Sequence, residues 1–138
     1  MESIRVHVRD DLPPAKSQRS IFGSLSKHHR RLIKLLAEVH RVKSANGFRG
    51  FGKSPVALEV ELRVSAGQVL GDATNYLGGI ADALEDKKLR VRASGPLRHL
   101  EYRQHVALYD NDRQIKEILY REVRSQNSGY SVTIRKLN

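Results

Sequence analysis

The sequence predicts an α+β fold, and three observations carry that expectation. Strand-like alternation recurs at the beginning, middle and end of the chain. Two helical stretches with apolar stripes lie between those strands. At 138 residues without a cysteine, the chain is long enough for a single domain, residues 1–138, with a core that needs no disulfide framework.

Ile4-Arg5-Val6-His7-Val8 alternates at period two and reads as a half-buried first strand. Pro13-Pro14 and polar neighbours break regularity from Asp11 to Ser20. Ser24 or Ser26 is a candidate cap for a helix running to about Val42. Leu32, Leu35, Leu36, Val39 and Val42 form its stripe, with Lys27, Arg30, Arg31, Lys34 and Arg41 around them. Gly47, Gly50 and Gly52, interleaved with Lys43, Arg49 and Lys53, predict a mobile basic loop from Ser44 to Pro55. Its Gly47-Phe48-Arg49-Gly50-Phe51-Gly52 run suits either base stacking with phosphate contact or a plain flexible connection. Val56 to Val64 is the clearest strand, with every second residue apolar.

The stretch Gly71 to Leu84 reads as a short helix. Asp72, Asn75, Gly79 and Asp82 are spaced for one face, and Leu77, Ile80, Ala81 and Leu84 for the other. Gly78-Gly79 weakens a helix, so it implies close approach of another backbone, of a nucleic-acid strand, or an ordinary irregularity. Residues 85 to 105 form a basic excursion broken at Gly95-Pro96. Arg113 to Arg124 fits both helix and strand. The turn chemistry of Ser125-Gln126-Asn127-Ser128-Gly129 before Tyr130-Ser131-Val132-Thr133-Ile134 favours a closing hairpin.

A net charge of +10 points to a polyanionic partner, most often nucleic acid. Lys27, Arg30, Arg31, Lys34, Arg49 and Lys53 are the candidate phosphate contacts. No apolar run approaches a membrane span, so no membrane partner is expected. The lack of cysteine and of a signal-like N-terminus fits the cytoplasm. Against this basic background the acidic groups stand out. Asp72 and Asp112 could share Mg²⁺ if the hairpin brings Asp112 beside the helix start, with Asn75 and either Asp110 or Asp82 completing or orienting the site, because Mg²⁺ takes oxygen ligands and needs few carboxylates. Equally, Asp72 could cap its helix, Asp82 face solvent and Asp110-Asn111-Asp112 make a turn.

Asp72-Ala73-Thr74-Asn75, Asp82-Ala83-Leu84 and Asn111-Asp112-Arg113-Gln114, in this order after Pro13-Pro14, a basic helix and the strand Val56 to Val64, resemble the motifs of RusA-like Holliday junction resolvases. The resemblance covers nearly the whole chain. It implies a small mixed sheet packed on two principal helices, a homodimer, branched DNA as partner, and Mg²⁺-dependent, structure-specific endonuclease activity in recombination and repair. It places catalytic aspartates at Asp72 and Asp112. Thr74 stands where the family has a second catalytic aspartate, and Gly78 where it has a lysine. The alternative is a catalytically degenerate scaffold that binds nucleic acid or a protein without cutting.

Overall fold

In the computed structural model, residues 2–15, 27–85 and 106–138 are described, with residues 27–29 as backbone only. The elements run β1 (Ser3–Arg9), α1 (Lys27–Asn46), β2 (Val56–Val64), α2 (Ala73–Leu84), a 3-10 turn at Asp112–Gln114, β3 (Ile115–Arg124) and β4 (Gly129–Lys136). The candidate caps Ser24 and Ser26 and the excursion beyond residue 85 lie outside the described residues.

One four-stranded mixed sheet holds the molecule together in the order β1-β4-β2-β3. β4 is antiparallel to both its neighbours, and β3 runs parallel to β2. Alternation fixes which face is covered. Ile4, Val6 and Val8 align with Ile134, Val132 and Tyr130, and these with Leu58, Val60 and Leu62. All are buried with Leu32, Leu35, Leu36 and Val39 of α1 and with Tyr76, Ile80, Ala83 and Leu84 of α2. The opposite face is polar, and Arg5, His7, Arg9, Glu59, Glu61, Arg63, Arg121 and Arg135 share it.

The expected closing hairpin does not form. Both segments are strands, but β2 lies between them. The 125–128 connection crosses the end of β2, where Ser125 N–H donates to Val64 O at 3.0 Å. The reason is hydrophobic. Tyr130, Val132 and Ile134 need apolar neighbours on both sides, which β1 and β2 supply, whereas most of β3 is exposed.

α1 continues past Val42 to Asn46 and stops at Gly47, whose φ of 62° suits glycine. The 47–54 loop is anchored rather than free-standing. Phe51 is buried, its ring lies 4.8 Å from that of Phe48, and its N–H donates to Leu108 O at 2.7 Å. Burial removes the Phe51 ring from any base-stacking role.

α2 buries Tyr76, Gly79, Ile80, Ala83 and Leu84, so Gly79 belongs to the inner face and not to the acidic one. A Cβ at Gly79 would overlap Pro14 O and stand 2.6 Å from Pro14 C. The Pro13-Pro14 segment therefore lies directly on the helix backbone, and the close approach expected of this glycine is made by the chain's own N-terminal segment.

Candidate metal and phosphate sites

Asp82, Glu85 and Asp112 converge at the end of the sheet where β2 and β3 begin. One carboxylate oxygen from each lies within 4.8 Å of the others, and all three residues are half-buried. Oxygen donors at about 2.1–2.4 Å from a shared cation span up to about 4.8 Å across it, so the set fits a hard divalent ion. Asp82 is in the last turn of α2 and Glu85 caps that helix. Three residues apart, they lie on neighbouring positions of one face.

Asp112 reaches them because the returning chain is tied at several points. Leu108 N–H donates to Leu84 O at 2.9 Å, and Glu85 bridges Tyr109 in parallel. Lys43 Nζ donates to Ala107 O at 2.6 Å, and burial lowers the pKa of this amine. Asp112 N–H donates to Glu85 Oε1 at 3.2 Å.

Gln114 then clamps the turn. Its amide oxygen accepts from Asp110 and Asn111 N–H at 3.0 and 2.8 Å, and its nitrogen donates to Gly52 O and Ser54 O at 2.7 and 2.8 Å. Asn111 and Gln114 also complete a capping box for the 3-10 turn. The clamp holds exposed Lys53 beside the acidic turn, and exposed Arg113 follows Asp112 directly.

Beneath the carboxylates, the Tyr109 hydroxyl donates to Ala81 O at 2.5 Å. Burial first, then the negative charge of Glu85, Asp112 and Asp82, pushes this phenol well above its usual pKa. It stays a neutral donor beside the three acidic residues.

Asp72 and Asn75 are not part of this convergence. Asp72 is the N-cap of α2 but makes no side-chain cap hydrogen bond. It stands ten residues before Asp82, about 15 Å along the helix axis, and Asn75 is about 10 Å away on the same measure. The expected pairing of Asp72 with Asp112 on one ion therefore does not fit, because Asp112 docks against the opposite end of the helix. Glu85 is absent from the expected site residues because it falls at the start of the basic excursion. The i, i+3 pattern Asp82-x-x-Glu85 was the available signal.

The predicted phosphate contacts divide. Arg30, Arg49 and Lys53 are exposed. Arg31 Nε donates to Asp11 Oδ1 at 3.3 Å, and Lys34 Nζ lies 3.5 Å from Asp11 Oδ2 while donating to Arg9 O at 3.2 Å. These two cations chiefly tie α1 to the chain beyond β1. The side chain of Lys27 lies outside the described residues.

No protein-family model matches this chain, and no curated protein matches its sequence. The RusA likeness thus rests on the quoted residues and their order alone.

A basic groove that the linear sequence does not announce lies at the other end of the sheet. It has a volume of about 770 Å³ and spans the outer edge of β1, with His7, Arg9, Lys34, Arg41 and Arg63 among its walls and Glu38 its acidic member. Arg41 is paired with Glu38 at 3.0 Å. Arg63 Nη1 donates to Ser131 Oγ at 2.8 Å, and that hydroxyl shares a 2.7 Å hydrogen bond with His7 Nδ1. Burial and the charges of Arg5, Arg63 and Arg9 lower the His7 pKa below 6.5, against a smaller opposing effect of Glu38. Among the described residues, no helix is long and apolar enough to cross a membrane.

Proposed function

We propose that this chain is a RusA-like protein that binds branched DNA through phosphate contacts and holds Mg²⁺ at Asp82, Glu85 and Asp112. The observation that carries the reading is the convergence of three carboxylates in a chain of net charge +10. Acidic groups repel a polyanion unless a cation stands between them. Exposed Arg113, next to Asp112 in the chain, and exposed Lys53, whose neighbours Gly52 and Ser54 accept from Gln114, suit a phosphate approaching that cation.

When bound, Mg²⁺ supplies charge neutralisation at phosphate and a more acidic water. The chain's own residues do the rest. Glu85 accepts from the Asp112 backbone and fixes the turn, Tyr109 holds its proton beneath the ligands, and Gln114 keeps Lys53 in place. The groove at His7, Arg9 and Arg63 offers a second phosphate contact, about 23 Å from the start of β2 by strand rise.

A second reading, binding without cutting, is favoured by Thr74 and Gly78, which lack the carboxylate and ammonium of the family pattern. One gel assay separates the two. A synthetic four-way junction is incubated with the protein in Mg²⁺ or EDTA, beside Asp112→Asn. An enzyme nicks only with Mg²⁺ and only with Asp112 intact. A binding module shifts the junction in both buffers and never nicks. No shift of the junction in either buffer refutes both readings.

A further inference from the structure

Across the open face of the sheet, Arg9 on β1 and Arg63 on β2 stand in register on either side of Gly129 of β4. Two strand spacings put their Cα atoms about 10 Å apart, and the strand between them carries no side chain at that row. Glycine is required there. A Cβ at residue 129 would stand 2.5 Å from Val8 O and 3.2 Å from Arg63 Nη2, so its absence lets the Arg63 guanidinium reach over β4. The φ of 149° is itself a glycine conformation.

One row along, Ser131 takes the corresponding place between His7 and Glu61. Ser131 is only 2% exposed. Its hydroxyl accepts from Arg63 Nη1 at 2.8 Å and shares a 2.7 Å hydrogen bond with His7 Nδ1. Because Arg63 only donates, the hydroxyl offers its own hydrogen to a neutral His7, and it rotates to accept when the ring is charged. In both states Nδ1 is occupied, and Nε2 is the nitrogen left for a ligand in the groove that His7, Arg9 and Arg63 line.

The charges around this point are unbalanced. Arg5 and Arg9 make no ion pair among the described residues. Arg63 has a long contact, 3.8 Å, to Glu61, which Arg121 holds at 3.1 Å. On α1, Lys34 lies against Asp11 and Arg41 against Glu38. The surplus is cationic and complements a phosphate monoester, which carries a charge of about −1.5 to −2 and three acceptor oxygens near neutral pH. A diester has a single negative charge and two free oxygens.

We propose that this point is a phosphate-monoester site, with Arg9 and Arg63 on either side of the anion and imidazolium His7 donating to it through Nε2. It rests on the reading of the groove as a phosphate contact and names the phosphate. That phosphate is a terminal one, from a nucleic-acid strand end or a small molecule, rather than a diester within a strand. Binding is coupled to pH. In the free protein, burial and the charges of Arg5, Arg63 and Arg9 disfavour the charged ring, against a smaller effect of Glu38. A bound dianion offsets those charges, so His7 takes up a proton as the anion binds.

An NMR pH series on the full chain, without Mg²⁺, reads the site through the His7 ring, assigned by the signal lost in His7→Gln. Sulfate, which stays a dianion throughout, and inorganic phosphate should each raise the His7 pKa by about one pH unit. Arg9→Gln should weaken sulfate binding about tenfold in the same signal, with an unchanged urea midpoint because Arg9 is exposed. Short single strands of one sequence, bearing a 5′-phosphate or a 5′-hydroxyl, identify the source of the phosphate.

A response to the phosphorylated strand alone assigns a strand end. A response to inorganic phosphate but to neither strand assigns a small phosphate, and both results support the site. Equal responses to the two strands, no response to sulfate or phosphate, or undiminished sulfate binding by Arg9→Gln overturns the proposal. Equal responses leave the groove as the diester contact of the functional reading. A sulfate-responsive His7 in a chain that never shifts a junction does the reverse.

Discussion

Replacing Gly79 by alanine should destabilise the fold, although helix propensity alone argues for the opposite. Glycine inside a helix costs about 1 kcal/mol relative to alanine, so an unobstructed Gly79→Ala would stabilise by that amount. Here the added methyl would overlap Pro14 O, stand 2.6 Å from Pro14 C and 3.0 Å from Ala15 Cα. To reach an ordinary contact, the helix and the proline segment must separate by more than about 1 Å, and none of the three obstructing atoms belongs to a side chain that can rotate away. Overpacking of a closed core costs about 1–3 kcal/mol, and a backbone obstacle puts this case near the upper end. Set against the propensity gain, the net loss is about 2 kcal/mol. With a urea slope of about 2 kcal/mol/M, the unfolding midpoint falls by about 1 M at unchanged slope. Equilibrium urea unfolding followed by far-UV circular dichroism measures it. Thr74→Ala, at an exposed position of the same helix, serves as the comparison and should be neutral or slightly stabilising. A midpoint for Gly79→Ala equal to or above the original would show that Pro14 does not rest on the helix backbone, and the account of how α2 is positioned would fail.

Two further outcomes follow from the site geometry. In calorimetric titration with Mg²⁺ or Mn²⁺, Asp112→Asn should weaken ion binding at least tenfold, while Asp72→Asn and Thr74→Asp should change it by less than twofold, since both positions lie about 12–15 Å along α2 from Asp82; an Asp72 effect equal to that of Asp112 contradicts the three-residue cluster. His7 should titrate below 6.5 in an NMR pH series, and inorganic phosphate should raise its pKa by favouring the charged ring. Because the folded pKa is depressed, the unfolded chain binds more protons between the two values. Stability linked to His7 is therefore full above pH 6.5 and declines as pH falls through that window. A His7 pKa at or above 6.5 without phosphate refutes the assignment.

How far the sequence revealed this structure depended on whether a feature was local. β2 was legible to the residue, because Val56, Leu58, Val60 and Leu62 alternate without interruption and the sheet buries that side. The α1 stripe was legible for the same reason at period 3.6, although the helix end was not, since Lys43 to Asn46 look like loop residues until Gly47 closes them. Asp112 and Asp82 are both legible as site residues, but the sequence pairs Asp112 first with Asp72, on the expectation that a hairpin brings the acidic turn beside the helix start; the bridge from Glu85 to Tyr109 brings it to the helix end instead. The basic groove was invisible because His7, Arg9 and Arg63 are joined only by strand register, through Ser131 and Gly129.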